Sequence, residues 1–339
     1  MRCRGTTHLA ALLLLATGVL AGCDAPTVDG VTVPAGFEVE ELVTGLVGPT
    51  QAVVGGDGRL VVAQLAGGER EGTGQVVRLD PDDPADRDVL ADGLLVPTGI
   101  AVVGDQLWIM EQRTLTRRPI GGGPVDVVAG DLPYNGRSNG TLTVLDDGRI
   151  LFDTSGSIRG GEVVEGSGRL WTVTDDGPPE VLASGFKHAY AHVVDRDGVL
   201  WTTEIGDGRY DGERPPDELL AVSPGLDHGW PRCIGDNLPV AEFGGTEAGC
   251  RDVPRSHAVF EAGATPTSVA VAPWDPDTLL VALWNLGLVV TVPRAAADGP
   301  VEAVPFIEGI DHPQHLVADG DRLLVVDHGG GRILAVSER

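Results

Sequence analysis

Cationic and imidazole side chains stand at several points of this sequence where they could bind or catalyse. Lys187 and His188 are neighbours in the stretch GFKHAYAHVVDRDGVLWTTE, and Lys187 is the single lysine of the chain. Arg137, His312 and His315 occur in other polar stretches that precede apolar runs. An imidazole exchanges a proton near neutral pH, and ammonium and guanidinium groups bind anions. These residue types could bind an anion or exchange a proton if the fold brings them together.

The overall charge limits the partners that the protein can have. The chain holds 50 Asp plus Glu against 24 Lys plus Arg, which gives a formal net charge of -26. Such a surface repels phosphate backbones, so we expect no nucleic-acid partner. The nearly complete use of arginine in place of lysine is also explained by genome base composition, and this is the competing explanation of the lone Lys187.

A short phrase recurs and predicts the elements that position these residues. Each copy has a tight turn, mostly Asp-Gly or Gly-Asp, followed by apolar or β-branched residues, which is typical of a turn leading into a strand. The copies are DGRLVV at 57–62, GDQLWI at 104–109, DGRILF at 147–152, DGVLWT at 197–202, PDTLLV at 276–281 and GDRLLV at 320–325. Four of the five intervals between copies are near 45 residues, the length of a four-stranded propeller blade. The remaining interval, between the copies at 197–202 and 276–281, is longer by about 30 residues.

The repeat predicts an all-β fold, a six-bladed β-propeller over residues 34–339. The long interval predicts an insertion after blade four, at about residues 204–262, and the two chain ends should complete one blade together. A single sheet sandwich is the competing architecture, but a regular period near 45 residues disfavours it. Because a propeller closes its own sheet, we expect a monomer.

The starts of the six inner strands should meet at one mouth of the propeller channel. All six are polar, whereas the strands behind them are apolar: Pro49-Thr50-Gln51, Pro97-Thr98-Gly99, Arg137-Ser138-Asn139-Gly140, Lys187-His188, Pro266-Thr267-Ser268 and His312-Pro313-Gln314-His315. This geometry predicts that Lys187 points into a cavity shared by every blade, beside the candidate arginine and histidines. For any one of these residues, ordinary solvation in a loop is the alternative.

The N-terminus predicts export. Two arginines precede an apolar run from Leu9 to Leu20, which is too short to span a bilayer and has the form of a secretory signal. The run ends in LAGC, which resembles a bacterial lipobox whose cysteine, here Cys23, becomes the lipidated first residue. We therefore expect a signal peptide over residues 1–22, a lipidated tether over 23–33, and a membrane-anchored lipoprotein in the periplasm or at the cell surface. An ordinary signal peptide is the alternative.

Two further cysteines remain in the exported part of the chain. Cys233 and Cys250 should form a disulfide in an oxidising compartment. Metal binding is the alternative, and it is disfavoured because neither cysteine belongs to a CxxC motif or stands beside a second group of ligands.

The segment TEIGDGRYDGERPPDELLAVSPGLDHGWPRCIGDN, residues 203–237, closely resembles the soluble glucose and sorbosone dehydrogenase family. The shared features are a tryptophan-bearing strand, an acidic residue followed by glycine, a Pro-Pro-Asp-Glu-Leu run and a Gly-Trp-Pro motif. Here they are Trp201, Glu204, Gly206, residues 215–219 and residues 229–231. The cysteine that often follows the Gly-Trp-Pro motif in the family is Cys233. The similarity is strong over residues 185–235 and sparse elsewhere. Members of this family are six-bladed propellers that oxidise aldoses with pyrroloquinoline quinone and Ca²⁺, so the resemblance implies a quinone-dependent sugar dehydrogenase.

The resemblance also implies a calcium site and contacts to the quinone. The family's calcium is held in part by main-chain oxygens that fall on Gly206 and Asp207, and Asp217 and Glu218 offer further oxygen ligands nearby. The family's Arg-Asn pair, which contacts the quinone, falls on Lys187-His188. A family lysine of the fifth blade falls on Trp284.

The catalytic base is where the sequence departs from the family. The family's histidine base falls on Arg137, which stays protonated and cannot accept a proton. An acidic residue of the family falls on Ser157. If the reaction is retained, the base has moved to another histidine at the mouth, with His188, His312 and His315 as candidates.

Two functions from different classes therefore remain open. The first is a quinone-dependent sugar dehydrogenase with a relocated base. The second is a propeller that has lost the redox chemistry and binds a carbohydrate or another anionic ligand through Arg137 and Lys187. A lactonase-like metal propeller is disfavoured, because no set of Glu, Asn and Asp residues converges on the mouth.

Overall fold

Six four-stranded antiparallel sheets form the body of the protein, which confirms the predicted six-bladed propeller. The structure is a computed structural model that describes residues 27–28, 30–295 and 299–339. From the innermost strand outwards, the blades are: blade 1, Pro49–Val54, Leu60–Gln64, Gly74–Leu79 and Arg87–Leu94; blade 2, Gly99–Val103, Gln106–Met110, Leu115–Pro119 and Asp126–Ala129; blade 3, Thr143–Val144, Ile150–Thr154, Arg169–Val173 and Glu180–Ser184; blade 4, Ala189–Val194, Leu200–Glu204, Asp217–Ala221 and Ala258–Phe260; blade 5, Pro266–Ala272, Asp275–Leu283, Leu288–Pro293 and Val304–Glu308; blade 6, Pro313–Asp319, Arg322–Asp327, Arg332–Glu338 and Phe37–Val43.

The recurring Asp-Gly phrase forms the turn between the first two strands of a blade. In blade 1, Gly58 has φ of 80°, a left-handed conformation that glycine adopts without strain. In blade 4 the turn is held by Asp195, whose carboxylate accepts hydrogen bonds from the backbone N–H groups of Asp197 and Val199. The repeated turn chemistry therefore sets the register of the two inner strands of these blades.

The two ends of the chain close the ring in blade 6. The strand Phe37–Val43 pairs antiparallel with Arg332–Glu338, and Val39 lies opposite Val336. Both valines are buried. Two short strands that precede this segment, Thr27–Val28 and Val31–Thr32, extend blade 5 beyond its outermost strand. The prediction that both chain ends contribute to one blade is confirmed.

Apolar side chains fill the spaces between neighbouring blades. Val61, Ala63 and Val76 of blade 1 pack with Leu107 and Ile109 of blade 2 in one buried cluster. Comparable clusters lie between the other blades, so each blade buries an apolar face on both sides. Polar residues can then occupy the channel without weakening the apolar core.

The extra residues of blade 4 lie within that blade and not after it, which corrects the predicted position. Residues 222–257 connect its third strand to its outermost strand, because Ala258–Phe260 pairs with Asp217–Ala221. The insertion holds a strand pair, Cys233–Ile234 and Leu238–Pro239, a 3₁₀ turn, Ala241–Phe243, and the helix Glu247–Cys250. Elsewhere a hairpin, Ile158–Arg159 and Glu162–Val163, leaves blade 3, and a second 3₁₀ turn spans Trp284–Leu286. None of the helices among the described residues has the length and apolar character that a membrane crossing requires.

A disulfide joins Cys233 to Cys250 within the insertion, as expected from the sequence. Both cysteines are buried, and the bond ties the short strand pair to the helix that follows it.

Removing this disulfide should destabilise the protein. For a Cys233→Ala/Cys250→Ala variant we expect the free energy of unfolding to fall by about 3 kcal/mol, because a closed loop of this size restricts the unfolded chain by that amount. Urea unfolding followed by tryptophan fluorescence measures the difference. Addition of a reductant should destabilise the wild-type protein and leave the variant unchanged, and equal stability of the two oxidised proteins would contradict the account.

Candidate functional site

A cavity of about 280 Å³ lies at one mouth of the channel and receives side chains from all six blades. Its lining includes one residue from the start of each inner strand or its neighbouring turn: Thr50, Thr98, Ser138, His188, Thr267 and Gln314. The predicted convergence of the inner-strand starts is confirmed for these residues. We call this space the central cavity.

Buried amide and hydroxyl groups fix the cavity walls. Gln51 donates from Nε2 to the backbone oxygen of Leu142 at 2.9 Å, and its Oε1 accepts from the backbone N–H of Ile100 at 2.7 Å. On the opposite side Gln314 Nε2 donates to the hydroxyl of Tyr190 at 2.7 Å. These bonds join blades 1, 2 and 3 to one another, and blade 6 to blade 4.

His188 is the most buried histidine in the cavity wall. Its Nδ1 lies 3.2 Å from Asn135 Nδ2, and its Nε2 lies 3.6 Å from Asp153 Oδ2. Because an amide nitrogen can only donate, His188 accepts at Nδ1 and carries its proton on Nε2. Burial holds the pKa of His188 well below its usual value, and it raises the pKa of Asp153 well above its usual value. Burial thus favours the uncharged imidazole of His188 and opposes ionisation of the neighbouring Asp153 carboxyl group.

Two arginines supply the positive charge of the central cavity. Arg137 and Arg214 both line it, and both side chains are exposed to solvent. Neither guanidinium forms a hydrogen bond or an ion pair with any residue that the structure describes. Three acidic residues, Glu69, Asp207 and Asp217, line the same cavity. The two guanidinium groups are therefore free to bind an anion that enters the cavity.

Lys187 does not line the central cavity, which corrects the prediction that it points there. It lines an adjacent open cleft of about 330 Å³ together with Tyr210 and Trp230. His188 directly precedes the innermost strand of blade 4 and lines the cavity, as Tyr190 of that strand does, whereas Lys187 lies in the bend before it and lines the cleft. Lys187 and His188 are neighbours in sequence, but His188 lines the central cavity and Lys187 lines the adjacent cleft.

His312 and His315 are also absent from the lining of the central cavity. His312 is half-exposed, and its Nδ1 lies 2.7 Å from Asp311 Oδ1. Its ring packs against Trp284, with ring centroids 4.7 Å apart. His315 lies on the innermost strand of blade 6, where desolvation lowers its pKa to about 4. Of the three histidines proposed as a relocated base, only His188 reaches the cavity. Trp284 does line it, as predicted from its position in the fifth blade.

The acidic residues Asp217 and Glu218, suggested for a metal, accept hydrogen bonds from the protein itself. Asp217 accepts from the backbone N–H groups of Gly206 and Thr265, each at 2.7 Å. Glu218 accepts from the backbone of Gly235 and from the hydroxyl of Ser256. Within the described residues no group of three or more His, Cys, Asp or Glu could hold a metal ion. Gly206, Asp207 and Asp217 lie on the cavity wall, and a role of Gly206 and Asp207 in binding calcium stays a prediction.

Several cavity residues were missed from the sequence. Tyr190 could have been found, because it stands two positions after His188 at the start of the innermost strand of blade 4. Asn135, Glu69 and Arg214 come from loops, and His328 follows the second strand of blade 6. Their positions depend on how the blades meet, which the local sequence does not specify.

Comparisons with known proteins agree on the fold. The calcium structure of a carbohydrate-active enzyme of family AA12 from Trichoderma reesei matches with 16% identity and a TM-score of 0.75, covering 91% of this chain and 97% of that one. The holo form of the pyranose dehydrogenase PQQ domain from Coprinopsis cinerea matches with 16% identity and a TM-score of 0.73, covering 94% and 99%. The PQQ-bound aldose sugar dehydrogenase from Streptomyces coelicolor matches with 21% identity and a TM-score of 0.68, covering 91% and 100%.

This chain shares the propeller fold of quinone-dependent sugar dehydrogenases. No family profile and no curated protein matched the sequence. At these sequence identities the solved structures establish the architecture, whereas the site has to be judged on its own residues.

The residues of the site do not fit pyrroloquinoline quinone with Ca²⁺. The quinone carries several carboxylates, but the central cavity sets two guanidinium groups against three carboxyl groups. Lys187 lies in the other cleft, and Trp284, in place of a lysine, is packed against the rings of His312 and His328. The carboxyl groups of Asp217 and Glu218 already accept hydrogen bonds from backbone N–H groups of blade 4 and its insertion. The cavity therefore offers a polyanionic cofactor two cationic groups, whose charge the three acidic residues offset.

The neutral state of His188 should make stability depend on pH. The unfolded chain binds a proton at this histidine below about pH 6.5, while the folded protein does not, so stability should fall as the pH drops below that value. Between pH 6.5 and 5.5 this one residue should contribute a loss of about 1 kcal/mol.

A His188→Gln variant isolates this contribution. Its free energy of unfolding should fall less steeply over the same pH interval than that of the wild-type protein, as measured by urea unfolding at pH 7.5, 6.5 and 5.5. Identical pH slopes would show that His188 takes up its proton in the folded state.

Proposed function

We propose that the protein binds a small polyhydroxy anion, of the sugar-acid class, in the central cavity. The observation that carries this proposal is the pair of unpartnered guanidinium groups, Arg137 and Arg214, on the wall of a polar cavity. Guanidinium groups bind carboxylates through two parallel hydrogen bonds, and this geometry is stronger than a contact between neutral groups.

The remainder of the cavity suits the hydroxyl groups of such a ligand. Thr98 Oγ1 is buried and has no hydrogen-bond partner among the described residues. A ligand hydroxyl that enters the cavity could satisfy it, which would remove the cost of an unpaired polar atom. Asn135, Asn285 and Gln314 add amide groups to the lining. The volume of about 280 Å³ is near the lower end for small-molecule pockets, which suits a ligand the size of one sugar ring.

We also propose that this binding takes place outside the cytoplasm. The disulfide between Cys233 and Cys250 supports an oxidising compartment. The predicted lipid attachment site, Cys23, lies outside the described residues and stays a prediction from the sequence. The predicted signal peptide at 1–22 lies outside them too. The tether predicted at 23–33 and the expected monomeric state also stay predictions, although Thr27–Val28 and Val31–Thr32 of that segment are short strands at the edge of blade 5.

Replacing either arginine should weaken binding of a sugar acid. For D-glucuronate we expect the dissociation constant of Arg137→Ala or Arg214→Ala to rise about 10-fold to 100-fold, because a hydrogen bond to a charged group contributes about 1.5–3 kcal/mol. Isothermal titration calorimetry at low salt measures the change.

Arg159 provides a matched control, since it is an exposed arginine on the hairpin of blade 3 and does not line the cavity. Arg159→Ala should bind D-glucuronate as the wild-type protein does. Equal affinity of all four proteins, or no binding by the wild type, would contradict the proposal.

Quinone-dependent oxidation of a sugar is the second candidate. The shared fold supports it, and so do the uncharged imidazole of His188 and the presence of Gly206 and Asp207 on the cavity wall. An uncharged imidazole is the form that can accept a proton from a sugar hydroxyl. The three acidic residues that offset the charge of the two arginines in the cavity disfavour this candidate.

The two candidates differ in their response to the quinone. The purified protein, incubated with pyrroloquinoline quinone and Ca²⁺, should neither bind the quinone in a titration nor reduce a redox dye when aldoses are added. Dye reduction that depends on aldose and is lost in His188→Gln would establish the dehydrogenase instead.

A further inference from the structure

Lys187 lies in a second space that the proposed sugar-acid site does not use. This space, which we call the lysine cleft, is the open cleft of about 330 Å³ beside the central cavity. Its aromatic walls are Tyr210, Trp230 and Phe243, and Lys187 is its only amine. The cleft is separate from the cavity that Arg137 and Arg214 line, although Asn135 and Asp207 border both.

The ammonium group of Lys187 has no partner in the part of the chain that the structure describes. The residue is only 9% exposed, yet its Nζ forms no hydrogen bond and no ion pair there. Lysine side chains are rarely buried without a partner, because the charged form loses its hydration. This burial therefore favours the neutral amine over the ammonium ion.

The charges around the lysine act in both directions. Burial is the largest influence and lowers the pKa of Lys187, and Arg137 lowers it further. Asp207 and Glu204 oppose this shift. The cleft is also lined by Glu242, which is negatively charged, and by Arg209, which is positively charged. The net direction is downward, so a larger fraction of Lys187 is unprotonated near neutral pH than for a lysine in water.

The backbone of Lys187 is held on both sides. Its N–H donates to Glu204, and its carbonyl oxygen accepts from the backbone N–H of Gly156 at 2.5 Å. A Cβ atom at Gly156 would lie 2.8 Å from the ring of Trp230, so only glycine fits between the two. Trp230 is fixed in turn by a 2.7 Å hydrogen bond from Nε1 to the hydroxyl of Tyr210. The backbone that carries the Lys187 side chain and the aromatic wall of the cleft are therefore both fixed by hydrogen bonds.

We propose that Lys187 is a carbonyl-reactive amine that captures a small aldehyde, such as the open chain of an aldose, as an imine. The neutral Nζ attacks the carbonyl carbon and forms the carbon–nitrogen bond. The carbonyl oxygen then leaves as water with the two protons that the amine loses. No oxidant or reductant takes part, and hydrolysis returns the aldehyde and the amine. An unpartnered, desolvated lysine is the form of this side chain that acts as such a nucleophile.

Reductive trapping tests this proposal directly. The full exported chain is incubated with glycolaldehyde and sodium cyanoborohydride at pH 7, and the adduct is located by peptide mass spectrometry. Because the chain has one lysine, each ε-amine adduct reports Lys187, and the α-amine is the other amine that can react. In the folded protein Lys187 should be modified at least about 3-fold faster than Nα-acetyllysine amide, since each unit of lowered pKa increases the neutral fraction about 10-fold.

The unfolded chain provides a control that needs no variant. In urea with the disulfide reduced, the rate at Lys187 should fall to that of Nα-acetyllysine amide, and in the folded protein the pH profile of labelling should lie at lower pH than that of the free amine. A folded-state rate equal to or below the unfolded rate would overturn the proposal.

Lys187→Arg separates this site from the central cavity. It should abolish all labelling other than at the α-amine and leave D-glucuronate binding unchanged, so failure of one proposal does not imply failure of the other. Labelling that persists inside the chain of Lys187→Arg would also overturn the assignment.

Discussion

The carboxylate of Glu204 holds the backbone of Lys187 and His188, and both candidate sites depend on this contact. It accepts hydrogen bonds from the backbone N–H groups of Lys187 and His188, the second at 3.1 Å, and so holds the start of the innermost strand of blade 4. Burial and the neighbouring Glu218 raise the pKa of Glu204, while the two N–H groups oppose that shift. With the backbone held in this way, His188 faces the central cavity and Lys187 faces the lysine cleft.

The side chains at the mouth of the propeller determine which ligands the cavity suits. The solved propellers that resemble this chain include structures described as PQQ-bound or holo forms. Here the same architecture presents two free arginines and a neutral histidine in the cavity, and it places the only lysine outside. A site with this balance of charges suits one small anion better than a polyanionic cofactor. The chain therefore shares the propeller fold of these structures, and the chemistry of its cavity has to be inferred from its own residues.

The fold was largely predictable because its signals are local. The turn phrase repeats near each blade, and the alternation of apolar residues needs only the sequence around it. The site was predictable in part. The strand starts reached the cavity as expected, but Lys187, His312 and His315 did not, since a side chain's direction depends on contacts such as that between Lys187 and Glu204. Loop residues such as Arg214 and Asn135 could not be placed, because their positions follow from how the insertion and the blades pack.

The central claim is that Arg137 and Arg214 make the central cavity an anion site. A crystal structure of the protein grown with D-glucuronate tests it most directly. We predict that the sugar acid lies in the central cavity, with its carboxylate bonded to at least one of the two guanidinium groups and a hydroxyl within hydrogen-bond distance of Thr98 Oγ1. A sugar acid bound elsewhere, or one whose carboxylate points away from both arginines, would contradict the account.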